Sequence, residues 1–370
     1  MEYLFILGRN IELSIAEVKS FLEKEGVSFK EISIFKNSLL LRISQNLEKG
    51  IIEKLGGVIS IGEVLIDGNK NHILKNLDNL PLYLGAKNKL NYVIYDFEGE
   101  EFQDICLGLK NKFKKEGIKA TEKNLTKNIK LQNGGIVPKV SSNLIDEQYF
   151  LFKNRFGKII ETTDYESIEA RDMNKPARRN ELSISPRLAK ILINLSQVKK
   201  NETLIDPFCG IGVILQEALL QKIKVLGIDK DKSAVAHAKL NLNWFGFSKD
   251  SYQILEGDSS RLSIPRVNSL VTEPYLGEIQ RKRPSFEKAK LITNHFESLI
   301  IRVLKNLKNK VEGRIVFTSP LILVGKKRFP CNIEKICSLA GLELIFDPLP
   351  EYREGQIIGR NIIVTSKKKK

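Results

Sequence analysis

Short apolar strands alternate with amphipathic helical segments over residues 183–366, and this pattern constrains the fold more than any other feature of the sequence. Segments such as TLIDPF, KVLGID and GRIVFTS are separated by stretches with helical periodicity. Parallel neighbours in a sheet need such crossovers, so the pattern predicts a doubly wound, mostly parallel α/β sheet with helices on both faces. The last strand segments follow one another too closely for a helix, and we expect an antiparallel edge strand there.

The first 165 residues have a different character, because short β-rich segments are mixed with short helical patterns. This mixture indicates an α+β region. A chain of 370 residues has room for two or three domains. The predicted organisation is an N-terminal α+β region over 1–165, a basic connection over 166–182, an α/β domain over 183–366 and a basic tail over 367–370.

Two helix starts carry capping signals. Ser14 and Glu17 have the S-x-x-E spacing of a capping box, which predicts a helix over residues 14–25. Ser185 is a candidate N-cap, and Pro186 stands at the first helical position, where its missing N–H does no harm. A helix of about a dozen residues is expected to follow Pro186.

A turn with two glycines follows the first strand of the alternating half. Gly210 and Gly212 permit a tight turn and a close backbone approach to a ligand at the carboxyl edge of the sheet. Asp206 precedes the turn, and Asp229 ends the next strand, where it is placed to hydrogen-bond both hydroxyls of a ribose. Asp258 follows the third strand and is placed to accept from an adenine amino group. These positions indicate a nucleoside-bearing cofactor.

A dinucleotide is the competing cofactor, but its fingerprint requires a third glycine beside the pyrophosphate, and Leu215 stands there. A sulfonium nucleoside without phosphate imposes no such demand, so the sequence favours S-adenosylmethionine. Cys209 in the turn is read as a small packing residue rather than a nucleophile. The candidate cofactor-binding residues are Asp206, Pro207, Phe208, Cys209, Gly210, Gly212, Asp229, Lys230, Asp258 and Ser259.

The fourth strand of the alternating half ends in Thr272-Glu273-Pro274-Tyr275, at the place where amino methyltransferases carry their substrate motif. An exocyclic amine shares its lone pair with the base, so it needs acceptors that hold its N–H groups and align nitrogen with the methyl carbon. Proton acceptance adds roughly 10²–10⁴-fold to the rate. Tyr275 is placed to stack on a flipped base, and a core position is its alternative. These four residues are the candidate catalytic group.

The segments RDMNKPARRNELSISPRLAKILINL and IDPFCGIGVILQEAL, together with the N-terminal FILGRNIELSIAEV, resemble the THUMP-domain tRNA guanine-N2 methyltransferases of archaea and eukaryotes. The resemblance implies a ferredoxin-like module and a THUMP domain that grips tRNA, followed by a Rossmann-type class I methyltransferase. It implies S-adenosylmethionine bound by Asp206, Gly210, Asp229 and Asp258, and methylation of a D-arm guanosine on its N2 amine. It also raises the question of a small activating subunit.

One departure concerns the substrate motif, which is typically D-P-P-Y in that family. Either Thr272 stands in the aspartate's place, so that its hydroxyl and the Glu273 carbonyl accept from the amine, or Glu273 is a displaced acid. The second alignment is slightly preferred, because an ionised acceptor makes stronger hydrogen bonds. Adenine-N6 or ribosomal-RNA methylation, and a tRNA-binding protein without catalysis, remain the alternatives.

The formal charge of +16 favours a polyanionic partner, which the resemblance implies is tRNA. Two basic groups flank the motifs and are expected to contact phosphates without reading sequence. Ion pairs with Asp172, Glu181 or Glu278 are the alternative for some of them. The candidate RNA-binding residues are Arg171, Lys175, Arg178, Arg179, Arg281, Lys282 and Arg283.

The remaining composition excludes several classes of protein. Four cysteines and three histidines lack the paired spacing of a zinc site, so we expect no metal and a reducing cytoplasm. No apolar stretch approaches the roughly 18 residues of a membrane span. The apolar run Tyr3 to Leu7 has no basic leader or cleavage site, and it predicts a first strand rather than a secretory signal.

Overall fold

A computed structural model describes residues 1–97, 102–123, 128–130, 136–138, 144–179, 184–278 and 280–368. The last two residues of the predicted basic tail lie outside this range, as do residues 180–182 of the predicted connection. The chain divides into two compact units, of which the first contains Met1–Ile11, Val27–Glu53 and Val58–Thr163, and the second Glu12–Gly26, Lys54–Gly57 and Asp164–Lys370.

The first unit is an α+β structure around one eight-stranded sheet, in the order β2-β3-β1-β4-β10-β9-β5-β6. Its strands are β1 (Glu2–Leu7), β2 (Phe29–Phe35), β3 (Ser38–Ile43), β4 (Val58–Asp67), β5 (Lys89–Asp96), β6 (Lys119–Glu122), β9 (Glu147–Phe152) and β10 (Arg155–Thr162). Its helices are α2 (Ile51–Lys54), α3 (Lys70–Leu77) and α4 (Phe102–Lys115), and β7 (Asn128–Lys130) pairs separately with β8 (Ile136–Pro138). The predicted α+β character and first strand are confirmed.

The second unit has a nine-stranded sheet whose main order is β13-β12-β11-β14-β15-β19-β17. Its strands are β11 (Thr203–Asp206), β12 (Lys224–Asp229), β13 (Tyr252–Glu256), β14 (Ser269–Thr272), β15 (Ile315–Val324), β16 (Lys327–Pro330), β17 (Leu342–Leu344), β18 (Leu349–Glu351) and β19 (Ile358–Lys367). Its helices are α1 (Ile11–Lys24), α5 (Tyr165–Met173), α6 (Pro186–Leu195), α7 (Val213–Leu220), α8 (Lys232–Trp244), α9 (Phe286–Leu307) and α10 (Ile333–Ala340). The first five strands of that order are parallel neighbours.

Helices cover both faces of this sheet, as predicted. Leu204 packs in a cluster with α6, α7 and α8, whereas its neighbour Ile205 packs in a second cluster with α9 and α10. Successive residues of a strand point to opposite faces, so side chains of β11 pack in the hydrophobic cores on both sides of the sheet. The doubly wound, mostly parallel architecture is therefore confirmed.

The edge strand on this side is antiparallel to its neighbour, as predicted, although the strand that reverses direction against the parallel core, β19, lies inside the sheet. β19 pairs with β15 on one side and with β17 on the other, so β17 is the edge strand. β19 is buried along most of its length, from Gly359 to Thr365, and an interior position gives both rows of its backbone groups hydrogen-bonding partners.

Four strand segments form an antiparallel extension beyond the parallel core. β15 continues to Val324 and returns as β16 through a two-residue turn at Gly325-Lys326, with Gly325 at a φ of +58°. The first residues of β19 pair with the end of β15 and with β18. Because β15 is parallel to its core neighbour β14, this extension lies at the carboxyl edge of the sheet.

The two predicted helix starts had different outcomes. The Ser185 hydroxyl accepts a hydrogen bond from Leu188 N at 3.2 Å, and Pro186 begins α6, as predicted. The capping box is wrong, because α1 already begins at Ile11 and the Glu17 carboxylate accepts from Gly56 N and Gly57 N instead. Residues 166–173 of the predicted connection belong to α5, which begins at Tyr165.

Candidate active site

The loops that follow β11 and β14 line one cavity. Parallel neighbours end at the same edge of a sheet, so their carboxyl ends bring residues 206–214 and 273 together. The described residues that line the cavity are Arg179, Ile184, Asp206, Phe208, Cys209, Gly210, Ile211, Val213, Ile214 and Glu273. Sequence reasoning identified five of these positions as cofactor or catalytic residues.

The glycine turn has the backbone conformation that the sequence predicts. Gly210 has a φ of +51°, and Gly212, the N-cap of α7, has a φ of +89°. A Cβ at Gly210 would meet no other atom within 4 Å, so the turn leaves open space above its backbone. Asp229 Oδ2 accepts from Gly210 N at 2.9 Å and therefore fixes the turn.

Asp206 is the buried acidic group of the cavity. Only 2% of its surface is exposed, and Thr272 Oγ1 donates to its Oδ1 at 2.6 Å while Phe208 N donates at 3.1 Å. The pKa of the Asp206 carboxyl is raised to about 7, chiefly by burial and also by the negative charges of Asp229 and Glu273, against the lowering effect of these hydrogen bonds.

The Asp206 carboxyl suits a cationic ligand. Within the described residues, both hydrogen bonds to it end on Oδ1, which leaves Oδ2 for a ligand in the cavity. A positive charge there would compensate a carboxylate that burial disfavours. S-adenosylmethionine carries an ammonium and a sulfonium group, so the chemistry of this donor set fits that cofactor, and the open space above Gly210 fits a close approach.

Several predicted cofactor residues lie outside the cavity lining. Ser259 is buried and its hydroxyl donates to the Pro207 carbonyl at 2.6 Å, so this pair joins two loops. Asp258 accepts from the backbone and hydroxyl of Ser260, and Lys230 is exposed. The contact of Asp229 with a ribose and that of Asp258 with an adenine remain predictions, as does cofactor binding by Pro207, Gly212, Lys230 and Ser259.

Cys209 is a packing residue, as the sequence indicated. Burial raises the pKa of its thiol, so the nucleophilic thiolate is disfavoured. Its Sγ lies 3.1 Å from where a Cβ would stand on Gly227, and the side chain of Leu215 is closer still, at 2.6 Å. The glycine in β12 therefore permits close packing of the cofactor turn on the sheet.

Glu273 forms a two-pronged ion pair with Arg360. Arg360 Nε donates to Oε2 at 2.6 Å and Nη2 donates to Oε1 at 2.9 Å, and the two side chains are only 19% and 10% exposed. Burial acts to lower the pKa of Arg360, but the charge and hydrogen bonds of Glu273 together with the charge of Glu351 outweigh it, and that pKa is raised. Arg360 lies in β19, 87 residues away, and no spacing in the sequence pointed to it.

The other residues of the substrate motif have separate environments. Thr272 is fully buried, and its hydroxyl donates a hydrogen bond to Asp206. A direct contact between this hydroxyl and an amine is therefore not supported. Pro274 is buried. Tyr275 is 56% exposed, which excludes the core position and leaves its ring open to a base.

The predicted RNA-contacting cations divide into partnered and exposed groups. Arg171 pairs with the fully buried carboxylate of Glu217, and the ammonium of Lys175 is held by Asp172 with only 5% of the residue exposed. These contacts argue against phosphate binding by Arg171 and Lys175.

Arg178, Arg281 and Lys282 are exposed, whereas Arg179 pairs with Asp231 at 2.7 Å beside the cavity. Sequence reasoning missed Asn241, whose buried amide bonds the backbone of Ala177 and the carbonyl of Ile211. Asn241 therefore attaches the basic segment to the cofactor turn.

Across the described residues, no group of three or more His, Cys, Asp or Glu side chains is arranged to hold a metal ion. In the same part of the chain, no helix has both the length and the apolar character that crossing a membrane requires.

Comparisons with known proteins agree with this geometry. Residues 170–306 match the RMKL-like methyltransferase domain family UPF0020. The tRNA (guanine(10)-N2)-dimethyltransferase of Pyrococcus abyssi is 24% identical over 330 residues, which are 86% of this chain and 88% of that protein. The crystal structure of TrmN from Thermus thermophilus covers all of both chains with a TM-score of 0.51 at 14% identity, which shows a shared fold.

A further relative, the probable tRNA (guanine(10)-N2)-dimethyltransferase of Methanothermococcus thermolithotrophicus, is 33% identical over 140 residues. The match covers 36% of this chain and 79% of that protein. With the cofactor turn and its acidic residues, these similarities establish an S-adenosylmethionine-dependent class I methyltransferase. The chain belongs to the family of the tRNA (guanine(10)-N2)-dimethyltransferases.

Proposed function

We propose that this protein transfers a methyl group from S-adenosylmethionine to the exocyclic N2 amine of a guanosine in the D-arm region of tRNA. The observation that carries the proposal is the Glu273 carboxylate, which is held by Arg360 and lines the same cavity as Asp206. The names of the two relatives supply the substrate, because both are tRNA (guanine(10)-N2)-dimethyltransferases.

Asp206 would contribute charge to cofactor binding, and the turn at Gly210 would contribute the shape of the site. When bound, S-adenosylmethionine supplies a methyl carbon activated by its attachment to a positively charged sulfur. Asp206 would hold a cationic part of the cofactor with its Oδ2, and the turn at Gly210 would admit the cofactor close to the backbone. Asp229 keeps that turn in place through its hydrogen bond to Gly210 N.

Glu273 would orient the target amine. The guanine N2 lone pair is delocalised into the ring, so the nitrogen attacks only when its N–H groups are held and its lone pair is turned toward the methyl carbon. A carboxylate has about four acceptor sites, and Arg360 uses two of those on Glu273. The remaining sites accept from the amine, and after transfer they take the proton that the methylated, positively charged nitrogen releases.

RNA binding would involve the first compact unit as well as the catalytic one. We include in the proposal the ferredoxin-like and THUMP organisation of that unit, tRNA as its partner, and a cytoplasmic site of action. Tyr275, with its exposed ring, would stack on the flipped guanine. Whether a small activating subunit is needed is tested by assaying the chain alone.

The experiment is methyl transfer to an unmodified tRNA transcript. The purified chain is incubated with labelled S-adenosylmethionine, and the RNA is digested to nucleosides. We expect label in N2-methylguanosine and then in N2,N2-dimethylguanosine. The matched control transcript carries inosine in place of guanosine 10, because inosine lacks only the N2 amine, and it should remain unlabelled.

Other products would overturn the proposal. Label in methyladenosine, or transfer to ribosomal RNA alone, would assign the enzyme to another base or substrate. Cofactor binding without any transfer, in the presence and absence of cell extract to supply a subunit, would support a tRNA-binding protein without catalysis.

A further inference from the structure

Six cationic residues lie on two segments of the second compact unit that contact each other. Three follow the substrate motif in sequence, and three belong to the turn and strand β16 of the antiparallel extension. All except Arg328 are exposed. They are Arg281, Lys282, Arg283, Lys326, Lys327 and Arg328, and they are called the basic rim below.

Direct contacts join the two halves of the basic rim. Arg283 Nη1 donates to the carbonyl of Gly325 at 2.9 Å, in the turn that precedes β16. The rings of Phe286 and Phe329 meet edge to face, with their centroids 5.1 Å apart. The cationic residues on both segments therefore form one surface.

The charges of the basic rim are not neutralised by neighbouring acids. In the described ranges, no Asp or Glu oxygen lies within 4.0 Å of a cationic nitrogen of these six residues. Burial lowers the pKa of the Arg328 guanidinium, and the nearby positive charge of Arg283 lowers it further. Like charges held together without counter-charges favour the binding of an anion.

Side-chain contacts connect the basic rim to Glu273, the residue proposed to hold the target amine. Glu273 and the cavity that it lines are called the acceptor site. The Arg328 guanidinium stacks over the ring of Tyr352, with Cζ 4.1 Å from the ring centroid. Tyr352 follows Glu351, whose Oε2 lies 4.0 Å from Nη1 of Arg360. The same Arg360 holds Glu273, so a short chain of contacts leads from the basic rim to the acceptor carboxylate.

We propose that the basic rim binds the backbone phosphates of RNA next to the nucleotide whose base enters the acceptor site. The inference rests on the proposed function, and it identifies a second contact region for the same substrate. Phosphates fit the row of uncompensated cations, and an exposed aromatic ring beneath an arginine fits the stacking of an unpaired base. An acidic protein would use the charges but has no need of the acceptor site beside them.

The test is the salt dependence of RNA binding by the full chain. The double variant Lys326→Ala/Lys327→Ala removes two exposed charges of the rim. Each phosphate contact contributes about 1 to the slope of log K against log salt, so we expect a slope shallower by about 2. At low salt the dissociation constant for a tRNA transcript should rise roughly fivefold or more. Cofactor affinity should be unchanged, which shows that the variant is folded.

A matched control exists in the same compact unit. Lys199 and Lys200 are also adjacent and exposed, but they precede β11 and lie at the amino ends of the parallel strands, opposite the site. Lys199→Ala/Lys200→Ala makes the same charge change, and we expect the wild-type slope for RNA within about 0.5.

The result that overturns the inference is an equal slope for the rim variant, the control variant and the wild type. Retained RNA affinity with lost binding to poly-glutamate would also overturn it, and would assign the rim to an acidic protein. Because binding is measured without methyl transfer, the outcome is separate from that of the proposed function. If the protein does not methylate tRNA but the rim variant still shows the shallower slope, the proposed function is rejected and RNA binding by the basic rim is supported.

Discussion

Arg360 donates hydrogen bonds from Nε and Nη2 to the two carboxylate oxygens of Glu273, at 2.6 and 2.9 Å. The pair connects the loop after the parallel strand β14 with the antiparallel strand β19. A guanidinium matches a carboxylate in plane and charge, so the pair fixes the orientation of Glu273. The Glu273 carboxylate is therefore held by a residue that lies 87 positions away in the sequence.

Replacement of Glu273 by glutamine should reduce methyl transfer while leaving cofactor binding intact. The variant keeps the shape of the side chain but loses the charge and one acceptor oxygen. We expect the kcat to fall at least about 10²-fold. The control is Glu351→Gln, which removes a second carboxylate near Arg360 at 4.0 Å without touching the cavity lining. A Glu273→Gln enzyme with full kcat would remove the acceptor role.

Replacement of Arg360 by lysine should distinguish the effect of its positive charge from the effect of its two hydrogen bonds, which orient Glu273. Lysine supplies the positive charge but not the two parallel donors. We expect Arg360→Lys to lower kcat by roughly tenfold, with little change in the KM for RNA. Arg360→Ala would leave the largely buried Glu273 carboxylate without its cation, at a cost of about 3–5 kcal/mol in the free energy of unfolding. Equal kcat for the lysine variant and wild type would show that Arg360 acts through charge alone.

Local patterns were sufficient to predict the parallel core and the cofactor turn. The alternation of strands and helices, the two glycines and the acidic residues at strand ends are all signals within a few residues of one another. The antiparallel extension was missed because prolines at its two ends, Pro320 and Pro330, argue against a strand. The Gly325-Lys326 dipeptide between apolar runs was an available hairpin signal.

The site was predicted only as far as its contacts are local. Glu273 was identified by its place after a strand, whereas Arg360 pairs with it from 87 residues away. One of the two alignments of the motif had the Thr272 hydroxyl accept from the amine, but successive strand residues point to opposite faces, and this side chain is turned to Asp206. Without homologous sequences, such long-range pairs leave no signal in a single chain.

Cofactor binding should depend on pH through Asp206. The pKa of this carboxyl is raised to about 7, chiefly by burial, so below that pH it must lose a proton before it can pair with a cation. We expect the affinity for S-adenosylmethionine to fall by about tenfold per pH unit below 7. An α-amino group loses its charge near about pH 8, so the affinity should be highest between the two values.

Calorimetry in buffers of different ionisation enthalpy would measure the proton released on binding at pH 6. The Asp206→Asn variant should bind weakly, with a flat profile over the same range. A flat wild-type profile from about pH 5.5 to 7.5, with no proton released, would contradict the assignment of Asp206 to a cationic part of the cofactor.

The same residue should destabilise the cofactor-free protein at alkaline pH. In the unfolded chain the Asp206 carboxyl ionises near its ordinary value of 3.8, but in the folded chain it stays protonated until about pH 7. The unfolded state therefore binds fewer protons in this window, and the free energy of unfolding falls as pH rises from about 4 to about 7, by up to about 1.4 kcal/mol per pH unit.

Asp206→Asn should remove this loss. Its amide oxygen can still accept from Thr272 and Phe208, since both hydrogen bonds end on Oδ1. Urea unfolding without cofactor should show the variant more stable than the wild type at pH 8, with a smaller difference at pH 5. The same difference at both pH values would exclude ionisation of Asp206 as its cause.

Glu17 should be essential for the stability of the second compact unit, although it lies near the start of the chain. Its fully buried carboxylate accepts from Gly56 N at 2.7 Å, Gly57 N at 2.6 Å and Asn194 Nδ2 at 2.8 Å. The Asn194 amide oxygen in turn accepts from Lys24 Nζ at 3.2 Å. This network attaches α1 and residues 54–57 to α6, all within the second unit.

Glu17→Ala leaves Gly56 N and Gly57 N buried without an acceptor, at about 1–3 kcal/mol each, whereas Asn194 Nδ2 keeps the Lys54 carbonyl, so we expect the free energy of unfolding to fall by at least about 2 kcal/mol. Trp244, the only tryptophan, lies in α8 and reports the unfolding of this unit by fluorescence in urea.

Glu12→Ala is the matched control, because it removes an exposed glutamate from the same helix, and it should change stability by less than about 0.5 kcal/mol. If both variants unfold at the same urea concentration, the buried network does not hold α1 to the catalytic unit. If only Glu17→Ala is destabilised, a chain that begins at Asp164 lacks part of its own core and should not fold alone.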